Sequence, residues 1–109
     1  MSEHLKTLTL DTFDAFIAGH ERPVLVDFYA DWCGPCQAIA PTLDQLSRDF
    51  DGRLEVVQVD VDAEPELADR YNVRTIPTIK LFRDGSEVET VLGAKPRLIL
   101  EALIERNLA

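Results

Sequence analysis

Cysteine is almost absent from this chain: 109 residues hold only two, Cys33 and Cys36. A disulfide framework is therefore ruled out, because a pair three positions apart closes too small a ring to staple distant segments. Histidine is equally scarce. His4 and His20 lie far upstream with no ligand-like spacing, so a four-ligand zinc site lacks donors within one chain. Stoichiometric zinc or iron in the purified protein would revive a metal reading, with two chains pooling their pairs. Positive charge is in deficit. Eleven Lys and Arg face twenty Asp and Glu, for a net charge of −9, which argues against nucleic-acid binding and against anionic membrane surfaces. No apolar run approaches the ~20 residues of a membrane helix. The N-terminal MSEHLKTLTL has no basic patch followed by a long apolar stretch, which predicts no secretory signal and a cytoplasmic protein. In that compartment a CxxC pair is redox-active or metal-binding rather than a permanent staple.

What is present suits one domain over residues 1–109. The chain is 46% apolar and 28% charged, long enough to bury a core of its own. Residues 5–10 read as a first strand, and Asp11 as the cap of a helix carrying Phe13, Phe16 and Ile17 and ending at Gly19. "VLVDFYA" from Val24 to Ala30 is a nearly continuous apolar run, the pattern of a strand covered on both faces. Beyond the cysteines, Ile39, Leu43, Leu46 and Phe50 recur at helical spacing, with Pro41 inside the helix as an expected kink. "LEVVQVDVD" from Leu54 to Asp62 reads as a strand with Val57, Val59 and Val61 on one face. A short helix starts near Pro65 with Leu67 and Tyr71. "PTIKLF" and "SEVETVL" flank Arg83-Asp84-Gly85-Ser86, where Asp-Gly predicts a tight hairpin. A last helix starts near Pro96 with Leu100, Leu103, Ile104 and Leu108 on one face. The order β-α-β-α-β-α-β-β-α predicts an α/β fold: a central mixed sheet of about five strands, flanked on both faces by about four helices. The acids Asp49, Asp51, Glu55, Asp60, Asp62, Glu64, Glu66 and Asp69 predict a solvated acidic face, with an acidic docking surface as the other reading.

The cysteines fall where the second strand passes into a helix. Positions i and i+3 on a helix lie on one face, ~5–6 Å apart, near the separation a disulfide requires. Cys33 meets the free N–H groups and positive dipole end of the helix, which favour a thiolate. Cys36, one turn in, is shielded and suits a resolving role. Pro35 limits how the loop can relax.

"VDFYADWCGPC", the helix proline Pro41, "VDVD", "TIPT" at 75–78, the "DG" hairpin and "LGA" at 92–94 together resemble the thioredoxin family across essentially the whole chain. The resemblance implies the thioredoxin fold and a protein-disulfide reductase that carries electrons as a dithiol. It implies that Cys33 attacks a substrate disulfide and Cys36 resolves the mixed disulfide. No cofactor need bind the chain. Electrons would come from NADPH through thioredoxin reductase, and the partners would be that reductase and proteins that form disulfides in turnover, such as reductases and peroxidases. The chain would act as a monomer. Gly34 and Pro35 would tune the motif. Pro77 would be cis against the cysteines. Trp32, Gly34, Pro35, Ile76, Pro77, Leu92, Gly93 and Ala94 would form a flat, mostly apolar docking patch; the other reading of Leu92 is core.

Asp27 lies inside the apolar "VLVDFYA" run, where a carboxylate is costly unless paired or protonated. The resemblance places it behind Cys36 as an aid to proton transfer. Three positions depart from the common family pattern: Tyr29 where many members have Trp, Gln37 where a basic residue often follows the motif, and Gln58 where relatives carry Lys beside the buried Asp. None of the three alters the sulfurs themselves.

Overall fold

Strand β2, Val24–Tyr29, is buried at all six positions, and the remaining elements arrange around it. The computed structural model describes residues 4–108; residues 1–3 and 109 of the expected 1–109 domain lie outside the described residues. The elements are β1 (Lys6–Thr7), α1 (Leu10–Gly19), β2, α2 (Gly34–Asp49), β3 (Glu55–Asp60), α3 (Pro65–Arg70), β4 (Thr78–Arg83), β5 (Ser86–Leu92) and α4 (Arg97–Glu105). They form one five-stranded sheet in the order β1-β3-β2-β4-β5. β1, β3 and β2 run parallel, and β4 is antiparallel to both β2 and β5. The mixed sheet and its flanking helices agree with the order read from the sequence.

Alternation along β2 divides the core in two. Val24, Val26 and Phe28 join Phe13 and Ile17 of α1 and Leu67 of α3. Leu25 joins Ile39, Leu43 and Leu46 of α2 with Leu100, Leu103 and Ile104 of α4. On the first side, Phe13 and Phe82 meet edge to face at 5.8 Å between ring centroids, and Tyr71 packs against both rings. The hairpin turn takes the expected form: Asp84 and Gly85 have φ of 53° and 81°, the left-handed pair that a two-residue turn requires.

Several expectations need correction. The first strand is two residues long rather than six, because only Lys6 and Thr7 pair with β3, while Leu8 turns into the core. Thr9, not Asp11, precedes α1: the Thr12 hydroxyl accepts the Thr9 N–H at 2.9 Å, and Glu64 Oε1 accepts the Leu10 N–H at 2.9 Å. Asp11 sits within the first turn. Tyr71 lies just past α3 and Leu108 beyond α4, though both pack onto the core. The run of acids stays solvent-accessible, as expected, and several of its members are engaged in surface ion pairs or caps. Asp49 pairs with Arg97, Glu55 with Arg22, and Asp69 with Arg74, while Glu64 caps α1 and Asp60 accepts the N–H of Asp62 at 2.9 Å. β3 itself carries the acids that precede it to one end of the strand and those that follow it to the other.

Phe13 is fully buried and touches two other rings. Replacing it by Ala leaves a cavity that neither sheet nor helix can close. The expected loss is about 3–5 kcal/mol, read as a lower denaturation midpoint in urea.

Candidate active site

The end of β2 feeds Tyr29 and Ala30 into a short turn that leads directly to α2. Cys33 is the N-cap of that helix, with extended φ and ψ of −87° and 111°. Its sulfur accepts the Cys36 N–H at 3.2 Å, so one of the helix's free donors points at Sγ. Cys33 and Cys36 form a disulfide with Cα atoms 5.2 Å apart, within the usual span for such a bond. Both are buried, Cys36 completely and Cys33 at 4% exposure. Shielding alone therefore separates the two sulfurs little in this state; position on the helix separates them more.

The Ile76–Pro77 bond is cis, and the Ile76 carbonyl oxygen lies 3.8 Å from Cys33 Sγ. The Pro77 carbonyl accepts the Gly93 N–H at 2.8 Å. This bond brings the end of β5 to the cysteine turn, and Gly93 has a φ of 82° that side-chain-bearing residues avoid. Trp32, Gly34, Pro35, Leu92 and Ala94 are exposed, Ile76 and Gly93 half-buried, and Pro77 buried. Leu92, at 57% exposure, is surface and not core. The fold thus brings residues of three separate segments, 32–36, 76–77 and 92–94, to one end of the sheet.

Asp27 is 1% exposed. It points to the α2 side of the sheet, on the same face of β2 as Leu25 and Tyr29. Its register neighbours are Gln58 on β3 and Ile79 on β4. Among the described residues its Oδ1 has no hydrogen-bond partner. Gln58, at the Lys position of relatives, directs its Nε2 to the Thr7 hydroxyl at 3.0 Å. Burial in this setting pushes the Asp27 carboxyl up from 3.8 to about 7. Tyr29 packs with both cysteines, Val61 and Ile76. Its phenol is pushed up to about 12, chiefly by burial and then by the carboxylates of Asp60, Asp31 and Asp27.

Two contacts escaped the sequence, although Gln37 itself was singled out there. Asp62 accepts the Trp32 indole N–H at 2.8 Å, and Gln37 donates to the Asp31 carbonyl at 2.7 Å. Nothing local marks Asp62 out from its acidic neighbours, since its partner is thirty residues away. Among the described residues no group of three His, Cys, Asp or Glu is placed to hold a metal ion, and no helix is long and apolar enough to cross a membrane.

A cysteine pair on a helix N-terminus, beside a cis-proline turn and above a buried acid, can exchange thiols for disulfides. The known proteins that this chain is similar to point the same way. The thioredoxin family profile matches residues 4–106. Thioredoxin C-2 of Corynebacterium nephridii is 44% identical over 108 residues, covering 99% of this chain and 100% of that one. The thioredoxin of Pseudomonas aeruginosa is 41% identical with the same coverage. A solved structure of Plasmodium falciparum thioredoxin superposes with a TM-score of 0.87 at 38% identity, covering 94% of this chain and 99% of that one.

Stability should depend on pH through Asp27. The unfolded chain releases this proton near 3.8, whereas the folded chain keeps it until about 7. Between those values the folded state binds more protons, so stability falls as pH rises and stays low above about 7. At ~1.4 kcal/mol per pH unit the full loss is about 4 kcal/mol. Asp27→Asn should remove it. The variant should gain up to a few kcal/mol over the parent above pH 8 and little or nothing at pH 4. Gln58→Lys, by placing a cation beside the acid, should shrink the window. Thermal melts from pH 4 to 9 read both; a difference that does not change with pH would make Asp27 a purely structural acid.

Proposed function

Because the chain belongs to the thioredoxin family, we propose that it reduces protein disulfides by a two-step exchange in which Cys33 attacks and Cys36 resolves. The family consists of thiol–disulfide oxidoreductases with an active-site cysteine pair, here Cys33 and Cys36. Its members need no bound cofactor, and a reductase and disulfide-bearing substrates are their partners in general.

The observation that carries the assignment of roles is the place of Cys33 as the N-cap of α2, its sulfur facing the Cys36 N–H. The helix terminus stabilises a thiolate there. That thiolate attacks one sulfur of the substrate disulfide. An S–S bond forms between Cys33 and the substrate, the substrate's own S–S bond breaks, and its second sulfur leaves as a thiolate that takes a proton. Cys36 then loses its proton and attacks Cys33 Sγ. The internal disulfide closes, and the substrate departs with both sulfurs reduced. The two electrons delivered are those of the Cys33–Cys36 dithiol. Asp27, buried on the α2 side of the sheet, serves as proton acceptor for Cys36. A carboxyl that titrates near neutrality is suited to this work, since it can take and return a proton at the working pH.

Substrate docks on Trp32, Gly34, Pro35, Ile76, Pro77, Leu92, Gly93 and Ala94. The turn at Pro77 offers the Ile76 backbone to an extended segment, in the manner of strand addition. Regeneration falls to a thioredoxin reductase drawing on NADPH, and the substrates are proteins that form disulfides in turnover, such as reductases and peroxidases. The chain acts as a single domain and a monomer, in the cytoplasm.

Coupled oxidation of NADPH with thioredoxin reductase and a protein disulfide tests the activity. Turnover is expected with the parent and should vanish in Cys33→Ser. For the roles, brief limiting alkylation of the reduced protein at neutral pH should label Cys33 first in the peptide map; label mainly on Cys36 would reverse the assignment. Cys36→Ser should accumulate long-lived mixed disulfides and Cys33→Ser few. Asp27→Asn should slow resolution by roughly 10²-fold near neutral pH, measured by stopped-flow, with the deficit shrinking as rising pH deprotonates Cys36 directly.

A further inference from the structure

Trp32 is 71% exposed, so packing does not hold its ring in place. Hydrogen bonds do, from two sides. The indole N–H is held by Asp62 at 2.8 Å, and Asp62 is itself tied through its backbone N–H to Asp60 Oδ1 at 2.9 Å. On the other side, Gln37 reaches back over the first turn of α2 and its Nε2 donates to the Asp31 carbonyl at 2.7 Å. That carbonyl belongs to the peptide joining Asp31 to Trp32, so Gln37 fixes the plane from which the Trp32 side chain departs. The Gln37 backbone N–H donates separately to the Cys33 carbonyl at 3.1 Å. The helix therefore keeps its first bond whatever the side chain does.

We infer that Gln37 is a positioning residue for partner docking, setting through the Asp31–Trp32 peptide where the indole stands beside the Cys33–Cys36 pair. The inference rests on the reading of Trp32 as part of the docking platform. The amide suits this work because it donates without bringing charge to the sulfurs. It thereby separates placement of the platform from the electrostatics of the thiols. Alanine at this position has no donor. Glutamate, when ionised, only accepts and would repel the carbonyl, whereas lysine keeps a donor on a long stem.

Trp32 is the only tryptophan in the chain, so its indole N–H resonance reports on this turn alone. The experiment compares Gln37→Ala, Gln37→Glu, Gln37→Lys and Trp32→Ala with the parent. Three quantities are measured: hydrogen exchange of the indole N–H, steady-state insulin reduction driven by dithiothreitol, and the rate of the reduced protein with the small disulfide 5,5′-dithiobis(2-nitrobenzoate). Gln37→Ala and Gln37→Glu should speed indole exchange and raise KM for insulin by about fivefold each, the factor set by one net hydrogen bond. kcat and the small-disulfide rate of Gln37→Ala should stay within about twofold, since the small reagent needs no platform and an ordinary surface change moves energies little. Gln37→Lys should restore slow indole exchange. If Trp32→Ala raises KM while Gln37→Ala leaves both exchange and KM unchanged, the positioning role is wrong. A parallel fall in the small-disulfide rate of Gln37→Ala would overturn it too, by placing Gln37 in the thiol chemistry. If Trp32→Ala itself leaves KM unchanged, the docking reading fails first and takes this inference with it.

Discussion

Everything at the active end depends on the ladder that holds β2 between β3 and β4. Val24–Tyr29 pairs in parallel with Glu55–Asp60 on one side and antiparallel with Thr78–Phe82 on the other. Bonded at both edges and covered on both faces, this strand cannot shift without breaking two ladders and two cores. It launches the chain into α2 at a fixed point, so Cys33 becomes a helix N-cap rather than a loop residue. The pairing with β4 also carries Pro77, which directly precedes that strand, to the same end. The reactive pair and the cis turn meet because β2 and β4 are directly paired, with the end of one beside the start of the other.

The same ladder explains the acid beneath the site. In a strand buried on both faces the Asp27 carboxyl is only 1% exposed, and among the described residues its Oδ1 finds no hydrogen-bond donor. The carboxyl therefore titrates near neutrality, a condition that costs stability at high pH and suits proton exchange with a thiol. Gln58 leaves this condition in place. It is uncharged, and its Nε2 is committed to Thr7 across the β3–β1 pair. Tyr29, two residues along the same face, adds a phenol that stays protonated among carboxylates. At the sulfurs themselves, the donor is a helix one: the Cys36 N–H points at Cys33 Sγ.

Most of the architecture was legible along the chain, because local patterns have local causes. The apolar run at 24–30 signalled a doubly covered strand, Asp84-Gly85 a tight turn, and the spacing from Ile39 to Phe50 a helix face. Each reflects backbone geometry that a few neighbouring residues decide. The errors fell where distant partners decide instead. The first strand shortened to Lys6–Thr7 because Leu8 leaves the pairing to bury itself in the core cluster of Phe13, Val57 and Leu67. The start of α1 moved to Leu10 in part because Glu64, fifty-four residues away, caps it.

The division is the same at the site. Sequence alone determined the cysteine pair and where the other candidate groups lie: two cysteines one helical turn apart, a proline between them, and a carboxyl in an apolar strand. Their spacing is short enough for helix geometry to place them. Tertiary structure alone decided what surrounds them. The clasp of Asp62 on Trp32, the bond from Gly93 to the Pro77 carbonyl and, among the described residues, the unpartnered oxygen of Asp27 arise where segments far apart in the chain are packed together, and hydrogen bonds between such segments leave no periodic trace in the order of residues.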